Sequence, residues 1–300
     1  MNRRKYFVAT ALVLLLGFSN RLAAQNTALG LVRIERNPRT SALAGAGSAS
    51  VGNGTYAAFQ DAATLAFLPG MGDFATGVQL WEMSNEVDKS TNLQLGTGFH
   101  FGPFGVALGA AYQLGVPVGA FTPSDLLVSL GLAFRVADGV SLGVNARYAQ
   151  QRLTQTVQVN GFSADISVLG KINEAFSLIG GVACLGPKVK GSVAEYSQPA
   201  YVHAGAAWHQ DFAPHRIELM LDAEYNFDNT LAGAIGAEYS YQDTLFLRLG
   251  YRLAGTNAVI PSHLALGLGF RIMGFRADVS YLTASPVLGN TLSVGVGYSF

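Results

Sequence analysis

The most informative feature of this sequence is a two-residue alternation of apolar and polar side chains. Between residues 245 and 253 the odd positions are Leu, Leu, Leu, Tyr and Leu, whereas the even positions are Phe, Arg, Gly and Arg. Residues 216–225 and 275–281 alternate in the same way. Because successive side chains of a β-strand point to opposite faces of the sheet, this period predicts strands with one apolar face.

Similar runs recur along the chain and predict fourteen strands. The predicted strands cover residues 73–83, 91–101, 104–113, 125–136, 140–151, 162–171, 175–184, 200–209, 216–225, 230–241, 244–253, 262–272, 275–283 and 291–300. Most runs have about the 9–11 residues that a tilted strand needs to cross a bilayer, and bacterial barrels have an even number of strands. The sequence therefore predicts an all-β fold, in which residues 73–300 form a 14-stranded antiparallel transmembrane β-barrel.

The lengths of the connections support this interpretation. Links after even-numbered strands are short, as at residues 102–103, 242–243 and 273–274, whereas most links after odd-numbered strands are longer. Outer-membrane barrels alternate short periplasmic turns with longer outer loops. With this parity we expect the N-terminus in the periplasm and the last strand to end there.

Composition favours a membrane barrel over the alternatives, a soluble two-sheet sandwich or a β-solenoid. Hydrophobic residues make up 50% and charged residues only 13%, about half the usual quarter. No stretch after the first twenty residues is apolar for the roughly 18 positions of a membrane helix. The apolar face then contacts outer-membrane lipid, with an interfacial girdle of tyrosines. The girdle residues are Tyr112, Tyr148, Tyr225, Tyr239, Tyr281 and Tyr298. The formal net charge of zero indicates no nucleic-acid partner.

The first residues are typical of an exported protein. Basic residues 3–5 precede the mostly apolar residues 7–18, and cleavage after Ala24 is expected, so residues 1–24 are predicted to be a signal peptide. The predicted location is the outer membrane of a Gram-negative bacterium. The single cysteine, Cys184, excludes an intramolecular disulfide, and strand parity places it on the lipid face.

Residues 25–72 precede the first predicted strand and are rich in Ala and Gly, with almost no charge after Arg39. Such a segment would be poorly soluble in water, so we expect it inside the lumen as a plug or hatch. Its candidate motif residues are Arg39, Gly45, Gly47, Asp61, Ala62 and Ala63.

This segment also carries a family resemblance. Arg39, the run "ALAGAG" at 42–47 and the turn "DAATLA" at 61–66 resemble the start of the PorV/PorQ group of Bacteroidetes outer-membrane proteins, relatives of the FadL-type channels. Members of the group typically have "AMGGAG" and "NPAxLA" at these places. The present chain differs in one glycine of the run and in the first two residues of the turn.

The resemblance implies a role in type IX protein secretion or surface-protein attachment. The expected partners are secretion components or the C-terminal domains of secreted cargo. The alternative is a FadL-like channel for hydrophobic small molecules, which should have an apolar tunnel and a gap in the barrel wall. A sealed lumen with a charged interior would count against transport. A third possibility is a structural barrel that transports nothing.

Charged residues on the lumen parity form the clearest local cluster. They are Glu218, Asp222, Glu224, Glu238, Arg248, Arg252, Arg271, Arg276 and Asp278. Opposite charges on adjacent strands predict a cross-strand network. We expect it to hold the barrel and plug together, since buried charges need partners. A selectivity wall or polar binding surface is the alternative.

The sequence offers little evidence for catalysis. Its five histidines are scattered, and neither G-x-S-x-G nor H-E-x-x-H occurs. His203 and His209 share a face of one predicted strand but are about 20 Å apart. We therefore expect no enzyme activity, no metal site and no cofactor.

The last predicted strand alternates in the same way and ends on an aromatic residue. Leu292, Val294 and Val296 share one face with Tyr298 and Phe300. We expect this strand to close the barrel against residues 73–83. Tyr298 and Phe300 are the predicted assembly signal, because outer-membrane barrels in general resemble this pattern at their last strand.

Overall fold

A computed structural model describes residues 27–51, 54–82, 89–191, 194–255, 258, 260–283 and 290–300. The predicted signal peptide, residues 1–24, lies outside the described residues, as do residues 83–88 and 284–289 of two predicted outer loops. No helix in the described ranges is both long and apolar enough to cross a membrane.

Fourteen antiparallel strands close into a barrel, which confirms the predicted fold and strand count. The barrel strands are β1 (Gly72–Glu82), β2 (Lys89–Phe101), β3 (Phe104–Leu114), β4 (Ser124–Ala137), β5 (Val140–Arg152), β6 (Gln158–Lys171), β7 (Phe176–Leu185), β10 (Tyr201–Phe212), β11 (His215–Asn226), β12 (Leu231–Tyr241), β13 (Leu245–Ala254), β14 (His263–Ile272), β15 (Phe275–Leu282) and β16 (Thr291–Ser299). Two short strands, β8 (Val189–Lys190) and β9 (Glu195–Tyr196), form a hairpin in the β7–β10 connection. Each barrel strand pairs with its neighbours, and β1 pairs with β16 to close the ring.

The apolar face of the strands is the outer face of the barrel. On β13, Leu245 and Leu253 are 52% and 64% exposed, whereas Arg248 and Arg252 are each 6% exposed. A soluble sandwich would bury the apolar face instead. The alternation therefore directs leucines toward lipid and arginines into the lumen.

The short turns are tight because their residues adopt left-handed backbone conformations. Met273 and Gly274, between β14 and β15, have φ of 49° and 84°. Two-residue hairpin turns of this kind match the twist of the flanking strands. These turns lie at one end of the barrel, and the longer connections lie at the other.

Residues 27–71 run through the barrel interior as the N-terminal segment. It contains helix α1 (Pro38–Ala42) and three 3₁₀ helices, Gly30–Arg33, Gly54–Ala58 and Ala62–Phe67. Helix α1 begins at Pro38 because Asn37 caps it, its side chain accepting a hydrogen bond from the Arg39 N–H at 3.0 Å.

The N-terminal segment starts at the end of the barrel that carries the longer loops. The Ala28 N–H donates to the Ser197 carbonyl at 3.0 Å, in the β7–β10 connection. At the opposite end, the Met71 N–H donates to the Phe300 carbonyl at 2.8 Å. The described part of this segment, from Thr27 onward, therefore spans the lumen before β1 begins.

Lumen-facing glycines let the segment pack directly against the strands. A Cβ added at Gly98, Gly143 or Gly250 would overlap backbone atoms of Gly54, Ala63 or Leu43, respectively. The high glycine content thus allows backbone-to-backbone contact that larger residues would block.

The pairing of β6 with β7 is irregular and corrects one prediction. The register shifts between Ala164 and Ile166, and Cys184 has φ of 57°. Its N–H donates to Asp165 at 2.7 Å, and its side chain is fully buried. The expected lipid-facing position of Cys184 is wrong, because this bulge interrupts the alternation on which parity depends.

Candidate functional site

A central network of charges joins the N-terminal segment to four strands. Arg39 donates to Glu238 through Nε at 2.8 Å and Nη2 at 2.9 Å, and to Glu218 at 3.0 Å. Arg248 donates to Glu238 at 2.5 Å and to Asp278 at 2.6 Å. Opposite charges therefore meet across β11, β12, β13 and β15, with Arg39 between two of the carboxylates.

A second network lies nearer the long loops. Arg33 and Arg252 both pair with Glu224. Arg33 also donates to Asn226, and its guanidinium carbon lies 3.7 Å from the centre of the Tyr201 ring. Stacking and pairing together place this arginine of the N-terminal segment against β10, β11 and β13.

Asp222 forms hydrogen bonds with the end of the "ALAGAG" run at residues 42–47 and with the residue that follows it. It accepts hydrogen bonds from the Gly47 N–H at 2.6 Å and from the Ser48 hydroxyl. Gly45 and Gly47 have φ of 88° and 114°, a conformation that favours glycine. The run can therefore turn at these glycines beside the Asp222 carboxylate.

The remaining two arginines of the predicted cluster differ. Arg276 pairs with Asp73 at 2.6 Å and donates to Thr55 at 3.0 Å. Arg271 is exposed and has no ion pair within the described residues, and its guanidinium carbon lies 5.2 Å from the centre of the Phe246 ring. Arg271 therefore lies apart from the networks.

The other motif residues, Asp61, Ala62 and Ala63, contact β5 and β10. Asp61 lies 3.3 Å from His203, and the Ala62 N–H donates to Asn145 at 3.0 Å. The Ala63 carbonyl accepts from Ser141 at 2.7 Å. The turn is thereby bonded to β5 and β10.

Sequence reasoning missed several buried charges that contribute to these contacts. Arg33 and Asp73 are two, and the pair Arg147–Asp165 is another. Arg147 and Asp165 share the lumen parity of adjacent predicted strands, so the same argument used for the cluster could have found them. Arg33 gave no such signal, because it belongs to no predicted strand.

An outer cavity of about 210 Å³ lies beneath the longer loops. It is lined mainly by apolar atoms, including those of Trp81, with Glu35, Gln79, Arg252 and His263 among its polar residues. The Glu35 carboxylate accepts from the Asn37 N–H and from Gln60, each at 2.9 Å. Burial raises the pKa of Glu35 above its ordinary value.

An inner cavity of about 110 Å³ adjoins the outer one, because both are lined by Ile34, Glu35 and Arg252. It is more polar and extends to Tyr201 and Ala183. These two residues pair with each other across β7 and β10, next to the irregular part of the wall.

Beside the inner cavity, the pairing of β6 with β7 breaks off before the outer end of β6. Residues 158–163 of β6 pair with β5 but have no paired partner in β7. The β7–β10 connection covers this break, and Gln198 donates to the carbonyls of Phe162 at 2.7 Å and Pro187 at 3.1 Å. A glutamine side chain and a loop thus replace strand-to-strand pairing.

Solved structures of similar shape identify the fold. The Pseudomonas putida toluene transporter TodX superposes with a TM-score of 0.63 at 13% identity, covering 88% of this chain and 97% of that one. The chain has a FadL-like outer-membrane barrel fold. A Pseudomonas aeruginosa FadL homologue gives a TM-score of 0.62 at 11% identity, covering 88% and 98%. The CymD monoaromatic hydrocarbon channel gives 0.65 at 13%, covering 88% and 97%.

These FadL-like structures are described as channels or transporters, or as a homologue of one, rather than as enzymes. No protein-family model and no curated protein matches the sequence. Within the described residues, no three His, Cys, Asp or Glu side chains are grouped so as to hold a metal ion.

Proposed function

We propose that this FadL-like barrel is an outer-membrane channel for small hydrophobic molecules. The observation that carries the proposal is the apolar outer cavity, which adjoins a second cavity beside a break in the β6–β7 pairing. The fold is that of TodX, a toluene transporter, and of CymD, a monoaromatic hydrocarbon channel. The signal-peptide pattern of residues 1–24 supports export to the outer membrane.

The route leaves the barrel sideways. In the half of the lumen nearer the short turns, residues 54–67 pack against β2, β3, β4 and β5. This filled, charged interior counts against a straight tunnel to the periplasm, because an apolar solute would have to displace paired charges. At the β6–β7 break only the β7–β10 connection has to move.

The N-terminal segment is the plug in this proposal, and the charge cluster holds it in place. Arg33 and Arg39 bring the positive charge, and Glu224, Glu218 and Glu238 receive it. In this proposal the charge cluster attaches the N-terminal segment to the barrel wall and does not select among solutes.

A disulfide lock tests the route. Thr27 and Ser197 pair as an isolated bridge between the plug and the β7–β10 connection, and bridged backbones lie within the roughly 4.4–6.8 Å that a disulfide spans. In a Gram-negative host making Thr27→Cys/Ser197→Cys, we expect uptake of labelled toluene to fall to that of cells with empty vector when oxidised, and to recover on reduction.

The single variants Thr27→Cys and Ser197→Cys are the controls and should keep their uptake under oxidation. Native Cys184 is buried, so it does not compete for the disulfide. Equal uptake by oxidised and reduced double variant would exclude the lateral route. Toluene uptake by the parent chain no greater than that of empty-vector cells would exclude a channel for toluene.

The second candidate is the type IX secretion role implied by the PorV/PorQ resemblance. Its support is the motif of the N-terminal segment, in which Arg39, Gly47 and Asp61 all make contacts with the barrel. If the protein has this role, deleting its gene should abolish the surface display of cargo. Secretion components should also co-purify with the barrel. Unchanged cargo display after deletion would exclude this role.

A further inference from the structure

The outer cavity carries a polar requirement that a channel for pure hydrocarbons would not need. Three of its lining residues have a buried polar atom with no hydrogen-bond partner in the described part of the chain: Ser41 Oγ, Gln79 Oε1 and Arg252 Nε. These residues are only 1%, 3% and 6% exposed. Ten other buried polar atoms of the described residues also lack a hydrogen-bond partner, so the argument for a ligand group rests on the grouping of three such residues around one cavity.

The chemistry of the three atoms specifies that group. The Gln79 oxygen accepts a hydrogen bond, the Arg252 Nε–H donates one, and the Ser41 hydroxyl can do either. A ligand hydroxyl both donates and accepts hydrogen bonds, so it can pair with an acceptor such as the Gln79 oxygen or with a donor such as the Arg252 Nε–H. A hydrocarbon would cover all three atoms and leave them unpaired.

Charge and volume narrow the ligand further. Among the described residues that line the cavity, Arg252 is the one arginine or lysine, and it is already paired with Glu224, so an anionic ligand would find no free arginine or lysine there. The cavity measures about 210 Å³, and an apolar cavity of roughly 150 Å³ holds benzene.

Resting on the proposed channel function, we infer that the outer cavity selects a neutral, mostly apolar molecule of about one ring that carries a single hydroxyl group. Phenols and cyclic alcohols are the class meant. Gln79 and Arg252 act as specificity-determining residues that recognise the hydroxyl, and Trp81 belongs to the apolar lining that receives the ring.

Three ligands of matched shape test the inference. Toluene, p-cresol and 4-methylbenzoate share one ring and differ in having no polar group, a hydroxyl or a carboxylate. The chain has two tryptophans, and Trp208 is 40% exposed on the outer face. Fluorescence of purified Trp208→Phe protein in detergent therefore reports on Trp81, with free ligand measured by dialysis against empty micelles.

We expect p-cresol to bind about tenfold more tightly than toluene at equal free concentration, since it pairs buried groups that toluene leaves unpaired. 4-Methylbenzoate should bind more weakly than p-cresol. Gln79→Leu should weaken p-cresol binding about tenfold and leave toluene unchanged. Ser41→Ala should also weaken p-cresol binding. This substitution breaks no hydrogen bond of the Ser41 side chain in the described structure.

Gln113→Leu is the matched control, because Gln113 is a lumen-side glutamine outside the cavity lining. It should leave p-cresol binding unchanged. Equal binding of toluene and p-cresol, insensitive to both cavity substitutions, would overturn the hydroxyl inference and leave the channel proposal standing. Selective p-cresol binding without uptake of either compound would support the inference and exclude the channel.

Discussion

Single charged residues bind the N-terminal segment to the barrel wall. Arg39 lies between Glu218 and Glu238, and its side chain is only 13% exposed. Removing one partner of a buried pair leaves the other charge without compensation, which costs more than the pair contributes. The arginines of the segment and the carboxylates of the strands therefore depend on one another.

Replacing Arg39 by methionine should destabilise the plug. Glu218 and Glu238 would lose their shared partner, a loss of about 3–5 kcal/mol for a buried pair. We expect faster proteolysis within residues 27–70 and a lower thermal unfolding temperature of the purified protein. Arg271→Met is the control, because Arg271 has no ion pair within the described residues and is exposed. Equal proteolysis rates and equal unfolding temperatures of the two variants would argue against a role of Arg39 in attaching the segment to the wall.

At the scale of secondary-structure elements, strand β16 closes the barrel by pairing with β1. Nine residue pairs join them, from Asp73 with Ser299 to Trp81 with Thr291. Beyond these pairs, the Phe300 carbonyl accepts from the Met71 and Gly72 N–H groups at 2.8 and 3.0 Å. Tyr298 packs on Phe275 at a ring distance of 4.7 Å on the lipid face. The seam is thus held by backbone bonds and aromatic contacts together.

Deleting residues 298–300 should prevent insertion. The deletion exposes unpaired backbone of β1 to lipid, and each unsatisfied group there costs several kcal/mol. Heat-modifiable mobility on gels, which separates folded from unfolded barrel, measures the result. Deletion of residues 154–156, three exposed residues of an outer loop, is the control. Normal insertion without residues 298–300 would contradict their role as an assembly signal.

The whole molecule is a filled barrel rather than an open pore. The N-terminal segment packs against most of the wall, and glycines of the strands allow its backbone to approach closely. Within the described residues, two adjoining cavities near the longer loops remain open. The N-terminal segment therefore fills the lumen, whereas strand pairing closes the barrel, and the two properties depend on different parts of the chain.

Deleting residues 27–66 should leave a closed barrel with a wide water-filled lumen. Strand pairing supplies the closure, so the variant should still show heat-modifiable mobility. Its single-channel conductance in a planar bilayer should be large and steady, whereas the full chain should be nearly silent. Steady large conductance from the full chain would contradict the interpretation of the N-terminal segment as a plug.

Much of the fold could be predicted from the sequence, because side-chain alternation is a local property of a strand. The parity of residues 245–253 and 275–281 settled which face is apolar, and repeated runs yielded the correct strand count. Alternation does not reveal a bulge, and the β6–β7 irregularity therefore escaped prediction together with the inward position of Cys184.

The sequence alone determined that this chain is a barrel and which face of its strands is apolar, since both follow from local period and composition. Only the tertiary structure decided which charges meet. Arg39 and Glu238 are 199 residues apart, and their contact depends on how the segment threads the lumen. The cavity with its unpaired Ser41, Gln79 and Arg252 atoms also exists only in the closed ring, because helix α1, β1 and β13 meet there solely after the barrel has formed.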